Sequence, residues 1–260
     1  MLHYSKIGSG FPIVLLHGFC ENRYLWSHQM NALQHDFKLI SFDLTGFGDS
    51  KIDPNEDEYS IEYLAEQVHH SLEKMGVAEY ILIGHSLGGY VALAFAEKYP
   101  QRLKGLGMFH STAFADSEEK KQNRDKTLDF IKRNGVDLFA KSFVQPLFSR
   151  QNRDSLTQEI ADAQEIVQQT PVDTILKATE AMKKRPDRTY VLKSASYPVL
   201  YVIGKEDLAV PLAQSEAQCY IPQKNVVHIL EQVAHMGMIE AKEKSTEILR
   251  EFAKLCEGTS

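Results

Sequence analysis

Short, wholly apolar runs alternate along this chain with longer runs that are apolar on one face only. Pro12-Ile13-Val14-Leu15-Leu16 has no polar position, as a strand covered on both faces requires. Lys38–Phe42, Tyr80–Ile83, Leu103–Phe109, Pro198–Ile203 and Asn225–Leu230 are further strand-like runs, mainly apolar, and Leu2–Ile7 predicts a shorter first strand ended by Gly8-Ser9-Gly10. Between them, Leu25, Trp26, Met30 and Leu33 share one helical face. Ser60 is placed to cap a helix running to about Lys74, and the Ala-rich run from Leu87 is closed by Pro100. Pro211 opens a helix to about Cys219, and Ile239–Leu255 forms the last. Strands alternating with helices predict an α/β architecture, a mostly parallel sheet with helices on both faces.

From about 111 to 195 the strand pattern stops. Leu128, Ile131, Phe139, Phe143 and Leu147 mark helical faces, and the charge runs Glu118–Lys121 and Lys183–Arg188 read as solvated surface. The expected division is a core of residues 1–110 and 196–260 interrupted by a helical insertion, 111–195.

Composition narrows the function. A hydrophobic content of 43% over 260 residues is enough for a sizeable core. The net charge of −6, with both signs mixed, offers no basic face for nucleic acid. No apolar run approaches the ~20 residues that span a bilayer. Met1-Leu2-His3-Tyr4-Ser5-Lys6 has neither the basic start nor the apolar centre of a signal peptide. Cys20, Cys219 and Cys256 are scattered, without metal-ligand spacing. The expectation is a cytoplasmic protein, monomer or homodimer, without metal or cofactor, acting on a small molecule.

The chemistry concentrates where strands end. Gly84-His85-Ser86-Leu87-Gly88 joins a strand directly to a helix. Such a bend holds Ser86 in a strained conformation with its hydroxyl clear of the sheet, and larger residues than Gly84 and Gly88 would collide. The helix starting at Leu87 aims free N–H groups and its positive dipole end at the same point. A serine attacks only if a base takes its proton, and the base needs an acceptor to fix its tautomer. Of ten histidines, His235 follows the last strand on a loop that reaches the sheet edge, and His110 ends a strand near the pocket. Asp207 follows the penultimate strand; Asp43 and Asp116 are its rivals, Asp43 being better placed to hold its own glycine loop. The order serine, aspartate, histidine favours Asp207. The Leu87 N–H, with that of Phe19 on the loop after Pro12–Leu16, would form an oxyanion site.

His17-Gly18-Phe19, Asp43-x-x-Gly46-x-Gly48-x-Ser50, Gly84-His85-Ser86-Leu87-Gly88-Gly89, Gly204-x-x-Asp207-x-x-x-Pro211 and Ala234-His235-Met236-Gly237 together resemble the α/β-hydrolase fold superfamily over nearly the whole chain. The resemblance implies an eight-stranded, mostly parallel sheet, a helical cap inserted after the sixth strand at about 111–195, and the triad Ser86, Asp207, His235. Ala234 stands where the family commonly has glycine, and Cys20 where a small residue or proline is frequent. Members include esterases, lactonases, thioesterases, carbon–carbon bond hydrolases, cofactor-free haloperoxidases and hormone-type receptors. Ser86 argues against the dehalogenase and epoxide-hydrolase branches, which use aspartate there. The expected activity is carboxylic-ester hydrolysis, extending to lactones and thioesters, through an acyl-enzyme on Ser86. The alternatives are a ligand-binding or signalling member with negligible turnover, and a carbon–carbon bond hydrolase or haloperoxidase. Phe109, Phe114, Phe143, Phe148 and Met236 are expected to line an apolar pocket. With no arginine obvious beside the elbow, the expected acyl group is small and mainly apolar.

Overall fold

A computed structural model describes residues 1–53 and 58–258; the centre of the polar stretch around Pro54 lies outside it. The elements run β1 (Tyr4–Ile7), β2 (Pro12–Leu16), α1 (Ser27–Leu33), β3 (Lys38–Phe42), α2 (Ile61–Lys74), β4 (Tyr80–His85), α3 (Leu87–Lys98) and β5 (Leu103–Phe109). Four helices follow: α4 (Glu118–Val144), α5 (Thr157–Gln169), α6 (Val172–Lys184) and α7 (Thr189–Ser194). The chain then returns through β6 (Val199–Gly204), α8 (Leu212–Cys219), β7 (Asn225–Leu230), α9 (Gly237–Glu240) and α10 (Lys242–Glu257).

The strands form one sheet in the order β1-β3-β2-β4-β5-β6-β7, parallel except for β1, which runs antiparallel to β3. The count among the described residues is seven, not eight. Ahead of β1, the N–H groups of Leu2 and His3 go to the hydroxyls of Ser71 and Ser50. β4 is buried along its whole length, which explains the apolar run Tyr80–Ile83. α1 packs against α10 and α2 against α3. Among the described residues no helix is long and apolar enough to cross a membrane.

The strand order fixes the crevice. The chain leaves β2 toward β3 on one side and returns to β4 on the other, so the loops after β2 and β4 diverge at the carboxyl edge of adjacent strands. Ligands of open α/β sheets bind at such a switch point.

The helices between β5 and β6 correct the reading of the charge runs. Arg185 and Arg188 are buried. Arg188 donates to Glu62 of α2 and, at 2.9 Å, to Glu97 of α3. Arg185 lies 2.8 Å from the buried Asp116. This run therefore anchors the insertion to the sheet-flanking helices, because buried guanidinium groups require carboxylate partners.

Candidate active site

β4 ends at His85 and α3 starts at Leu87, which leaves Ser86 alone at the bend. Its φ of 50° and ψ of −114° are strained for a residue with a side chain. The surroundings impose that conformation. The Ser86 N–H donates to Phe109 O at 3.1 Å, and the Ser111 hydroxyl donates to Ser86 O at 2.7 Å. Strand and helix approach so closely that a Cβ on Gly84 would stand 2.2 Å from Gly88 O, and one on Gly88 2.6 Å from His17 O. The Ser86 side chain caps no N–H of α3. It is half-buried and lines a cleft of about 760 Å³.

His235 lines the same cleft. A Cβ on Gly204 would lie 1.9 Å from Ala234 O, so glycine at the end of β6 is what lets the chain after β7 cross it and set His235 beside Asp207. The His235 N–H donates to Leu147 O at 2.9 Å, tying this loop to the helical insertion. His235 Nδ1 is 2.7 Å from Asp207 Oδ2. A carboxylate only accepts, so Nδ1 carries the proton and Nε2 keeps a lone pair. Asp207 Oδ1 accepts from the N–H groups of Ala209 and Val210 at 2.8 and 2.9 Å. Burial works to raise the Asp207 carboxyl, but the His235 and His110 imidazoles outweigh it and hold it far below the ordinary range. Burial likewise works to lower His235, and the Asp207 charge and hydrogen bond override it, so His235 lies above its ordinary value. Among the three expected triad residues, then, Asp207 and His235 are bonded, and Ser86 shares the cleft with His235. The rivals are engaged elsewhere: Asp43 accepts from the Arg23 N–H at 2.7 Å and the Asp49 N–H at 2.8 Å, and Asp116 pairs with two arginines.

Phe19, on the loop after β2, also lines the cleft, and Leu87 opens α3, whose first N–H groups have no partner within the helix. Two groups brace the Phe19 loop. His17 Nε2 accepts from the Leu44 N–H at 2.9 Å, so its Nδ1 donates to Gly18 O at 2.7 Å. The second is the Glu21 carboxylate, which accepts from the Gly18 N–H and meets His85 Nδ1 at 2.9 Å. His85 Nε2 donates to His235 O at 3.0 Å. His85 thus ties the loop after β2 to the loop carrying His235, with acceptors at both ring nitrogens. Burial works to raise the Glu21 carboxyl, yet the His85 imidazole beside it and the Gly18 N–H hold it low. Sequence reasoning missed Glu21 and Glu240. Glu240 accepts from the N–H groups of Ala234 at 3.0 Å and Ser149 at 2.8 Å, joining the His235 loop to the segment after α4. Neither residue belongs to a motif; only their closeness in sequence to Phe19 and His235 could have flagged them.

His110 is buried, with φ 48°, and packs where a Cβ on Gly237 would lie 2.3 Å from its Nε2. Burial drives its pKa down to about 4, which leaves it neutral. Its Nδ1 is 3.4 Å from Asp207 Oδ2 without hydrogen-bond geometry. His110, Asp207 and His235 present ligand-type atoms within 4.8 Å of one another. The His235 proton points at the carboxylate, so the group does not converge lone pairs on a cation.

The expected pocket residues divide. Phe114 and Phe143 line the cleft with Ser86. Met236 lines a second, apolar cavity of about 290 Å³, separated from the cleft by Phe19, Phe143 and Leu147, which face both. Phe109 and Phe148 line neither. Phe109 sits in the core with its ring edge-on to Trp26, centroids 5.3 Å apart, because β5 directs it under the sheet edge. Phe148 is fully buried beneath the loop that carries Ser149, whose hydroxyl is held by Glu206 at 2.6 Å. The cleft itself is more polar than expected: Asp116, Lys120, Asn123, Arg124 and Gln214 are in its wall.

A three-layer α/β sandwich with a strained serine at a strand–helix elbow and an Asp–His pair on the following loops defines a class, and this chain belongs to it: the alpha/beta hydrolase fold family matches residues 12–242. The chain is also similar to two curated relatives and one solved structure. Lipase 1 of Psychrobacter immobilis is 27% identical over 98% of this chain and 81% of its own length. Bifunctional epoxide hydrolase 2 of Sus scrofa is 32% identical over 56% of this chain, which spans only 25% of that protein. A thermophilic esterase from Thermogutta terrifontis, solved with malate bound, superposes with a TM-score of 0.92 at 29% identity, covering 98% of this chain and 93% of the esterase.

Proposed function

We propose that this chain hydrolyses carboxylic esters through an acyl-enzyme on Ser86. One observation carries the reading: a serine held in a strained elbow shares its cleft with a histidine whose far nitrogen is bonded to a buried carboxylate. In that reading His235 Nε2 takes the Ser86 proton as Oγ attacks the carbonyl carbon. The oxyanion accepts from the Leu87 and Phe19 N–H groups, each such donor supporting the transition state by ~3 kcal/mol. The imidazolium, stabilised by Asp207, returns the proton to the leaving alcohol, and water repeats the sequence to free the acid. Lactones and thioesters offer the same carbonyl. The lipase and esterase relatives support the reading.

Likeness to epoxide hydrolases does not extend to epoxide opening. A carboxylate nucleophile gives an ester that water can cleave; a serine oxygen opening an epoxide would give an ether, which His235 cannot hydrolyse. An aspartate nucleophile is what that reaction requires, and position 86 is serine.

Rapid mixing with 4-nitrophenyl butyrate tests the intermediate. A burst of nitrophenol equal to one per protein, with a mass increase of one butyryl group on the Ser86 peptide, is the expected result. Turnover without a trapped adduct on that peptide would refute the acyl-enzyme. The pH profile supplies a second check. His235 serves as base only when neutral, and the Asp207 charge raises its pKa above the ordinary value of 6.5. kcat/KM should therefore fall as pH falls, with its midpoint above 6.5.

A further inference from the structure

Lys120 and Arg124 line the cleft against Asp116 and Glu119, and Asp116 is shared with a third cation, Arg185, from outside the lining. Lys120, Asn123, Arg124 and Thr127 form their wall of the cleft from α4, at the i, i+3, i+4, i+7 spacing of one helix face. A face that served only to pack on the core would be apolar at that spacing. Arg124 and Arg185 share a single carboxylate, Asp116, which is buried. Arg185 further donates to Met182 O at 2.6 Å and Phe114 O at 3.0 Å, and its guanidinium lies 3.9 Å over the Tyr90 ring. Beyond Asp116, Arg124 has, among the described residues, the Met182 sulfur at 3.5 Å. Lys120, half-buried, is bonded at Nζ to Ala209 O at 2.9 Å, on the loop that follows Asp207. Among the described residues it pairs with no carboxylate, so two of its three N–H donors are free for a ligand. Glu119 reaches the same cleft from an exposed position at its rim.

We propose that this wall is an anion subsite, and that the ester cleaved at Ser86 carries a carboxylate which Lys120 and Arg124 receive. The assignment rests on the acyl-enzyme reading for the reaction, though not for the binding. It replaces the small apolar acyl group expected from the sequence. Two half-buried cations without their full complement of anions are costly in an empty cleft, and an anionic ligand relieves that. Tyr90, which also lines the cleft, feels the field: burial works to raise its phenol, yet Arg185, Lys120 and Arg124 draw it below the ordinary tyrosine value.

Two matched pairs of esters test this and locate the charge. Mono-4-nitrophenyl adipate against 4-nitrophenyl hexanoate puts the carboxylate on the acyl side. 4-Acetoxybenzoate against 4-acetoxybenzamide puts it on the leaving group. In one pair or the other, kcat/KM for the anion should exceed that for the neutral ester by about tenfold. That ratio should fall about tenfold in Lys120→Met, be kept in Lys120→Arg, and shrink as salt is raised. A ratio near one in both pairs, or a ratio unmoved by Lys120→Met, overturns the subsite while leaving the serine mechanism standing. If no ester of either kind is turned over, the serine mechanism falls, and calorimetry with adipate then decides the subsite. Binding about tenfold weaker in Lys120→Met than in the unaltered protein supports it; absent or equal binding overturns it.

Discussion

Alanine at position 86 is expected to lower kcat for an activated short-chain ester by at least about 10⁴-fold and to abolish labelling by a fluorophosphonate. Removing a serine nucleophile disables every step that depends on it, and what remains is the contribution of the oxyanion donors and substrate binding. The fold should not change. The Ser86 side chain caps no N–H of α3, and the backbone bonds that hold the elbow, Ser86 N–H to Phe109 O and Ser111 Oγ–H to Ser86 O, do not involve it. Alanine bears the same Cβ, so the strain at φ 50° is common to both proteins. A melting temperature close to that of the parent should therefore accompany the lost activity. Turnover within tenfold of the parent would remove Ser86 from the chemistry.

The sheet could be read from the chain because burial of its inner strands keeps them mainly apolar. β2, β3, β5 and β7 begin and end where the strand-like runs do. The elbow was legible for a related reason: a bend this tight admits only glycine two residues on either side, so geometry is written in composition. Asp207 and His235 followed from topology, since parallel strands deliver their following loops to one edge. What stayed hidden was polar chemistry between residues distant in sequence. His85 looks like a bystander to Ser86, yet it joins Glu21 to the His235 carbonyl, 64 and 150 residues away. Lys120 and Arg185 sit inside charge runs that resemble solvated helix faces. Charge alone does not say whether a side chain meets water or a cleft; the helical face does, and that depends on how α4 packs. Phe109 and Phe148 failed as pocket residues for the converse reason. An aromatic ring serves a core as readily as a pocket, and its sequence neighbourhood does not distinguish them.

Asparagine at position 207 offers the sharper test of the triad, because it alters protons and leaves shape almost intact. Asp207 divides its work between two oxygens: Oδ1 accepts from the Ala209 and Val210 N–H groups, and Oδ2 from His235 Nδ1. Asparagine has one acceptor and one donor end. Keeping its oxygen on the two backbone N–H groups preserves the loop, and its NH₂ then faces His235 Nδ1. That nitrogen must now accept, which moves the imidazole proton to Nε2, the atom meant to take the proton from Ser86. The base is lost through its tautomer, and the stabilising charge beneath the imidazolium is lost with it. A fall in kcat of about 10³–10⁴-fold is expected, with KM for a neutral ester little altered. The pH profile should change as well. The carboxylate is what lifts His235 above its ordinary value, so the midpoint of the residual activity should move down. Were Asp207 merely a loop anchor, asparagine would keep that anchor, and both kcat and midpoint would stay where they are. Nuclear magnetic resonance of the imidazole nitrogens would report the tautomer directly: protonated Nδ1 in the parent, protonated Nε2 in the variant. A variant that keeps Nδ1 protonated and still loses activity would show that the charge of Asp207, rather than the orientation it enforces, is what the reaction needs.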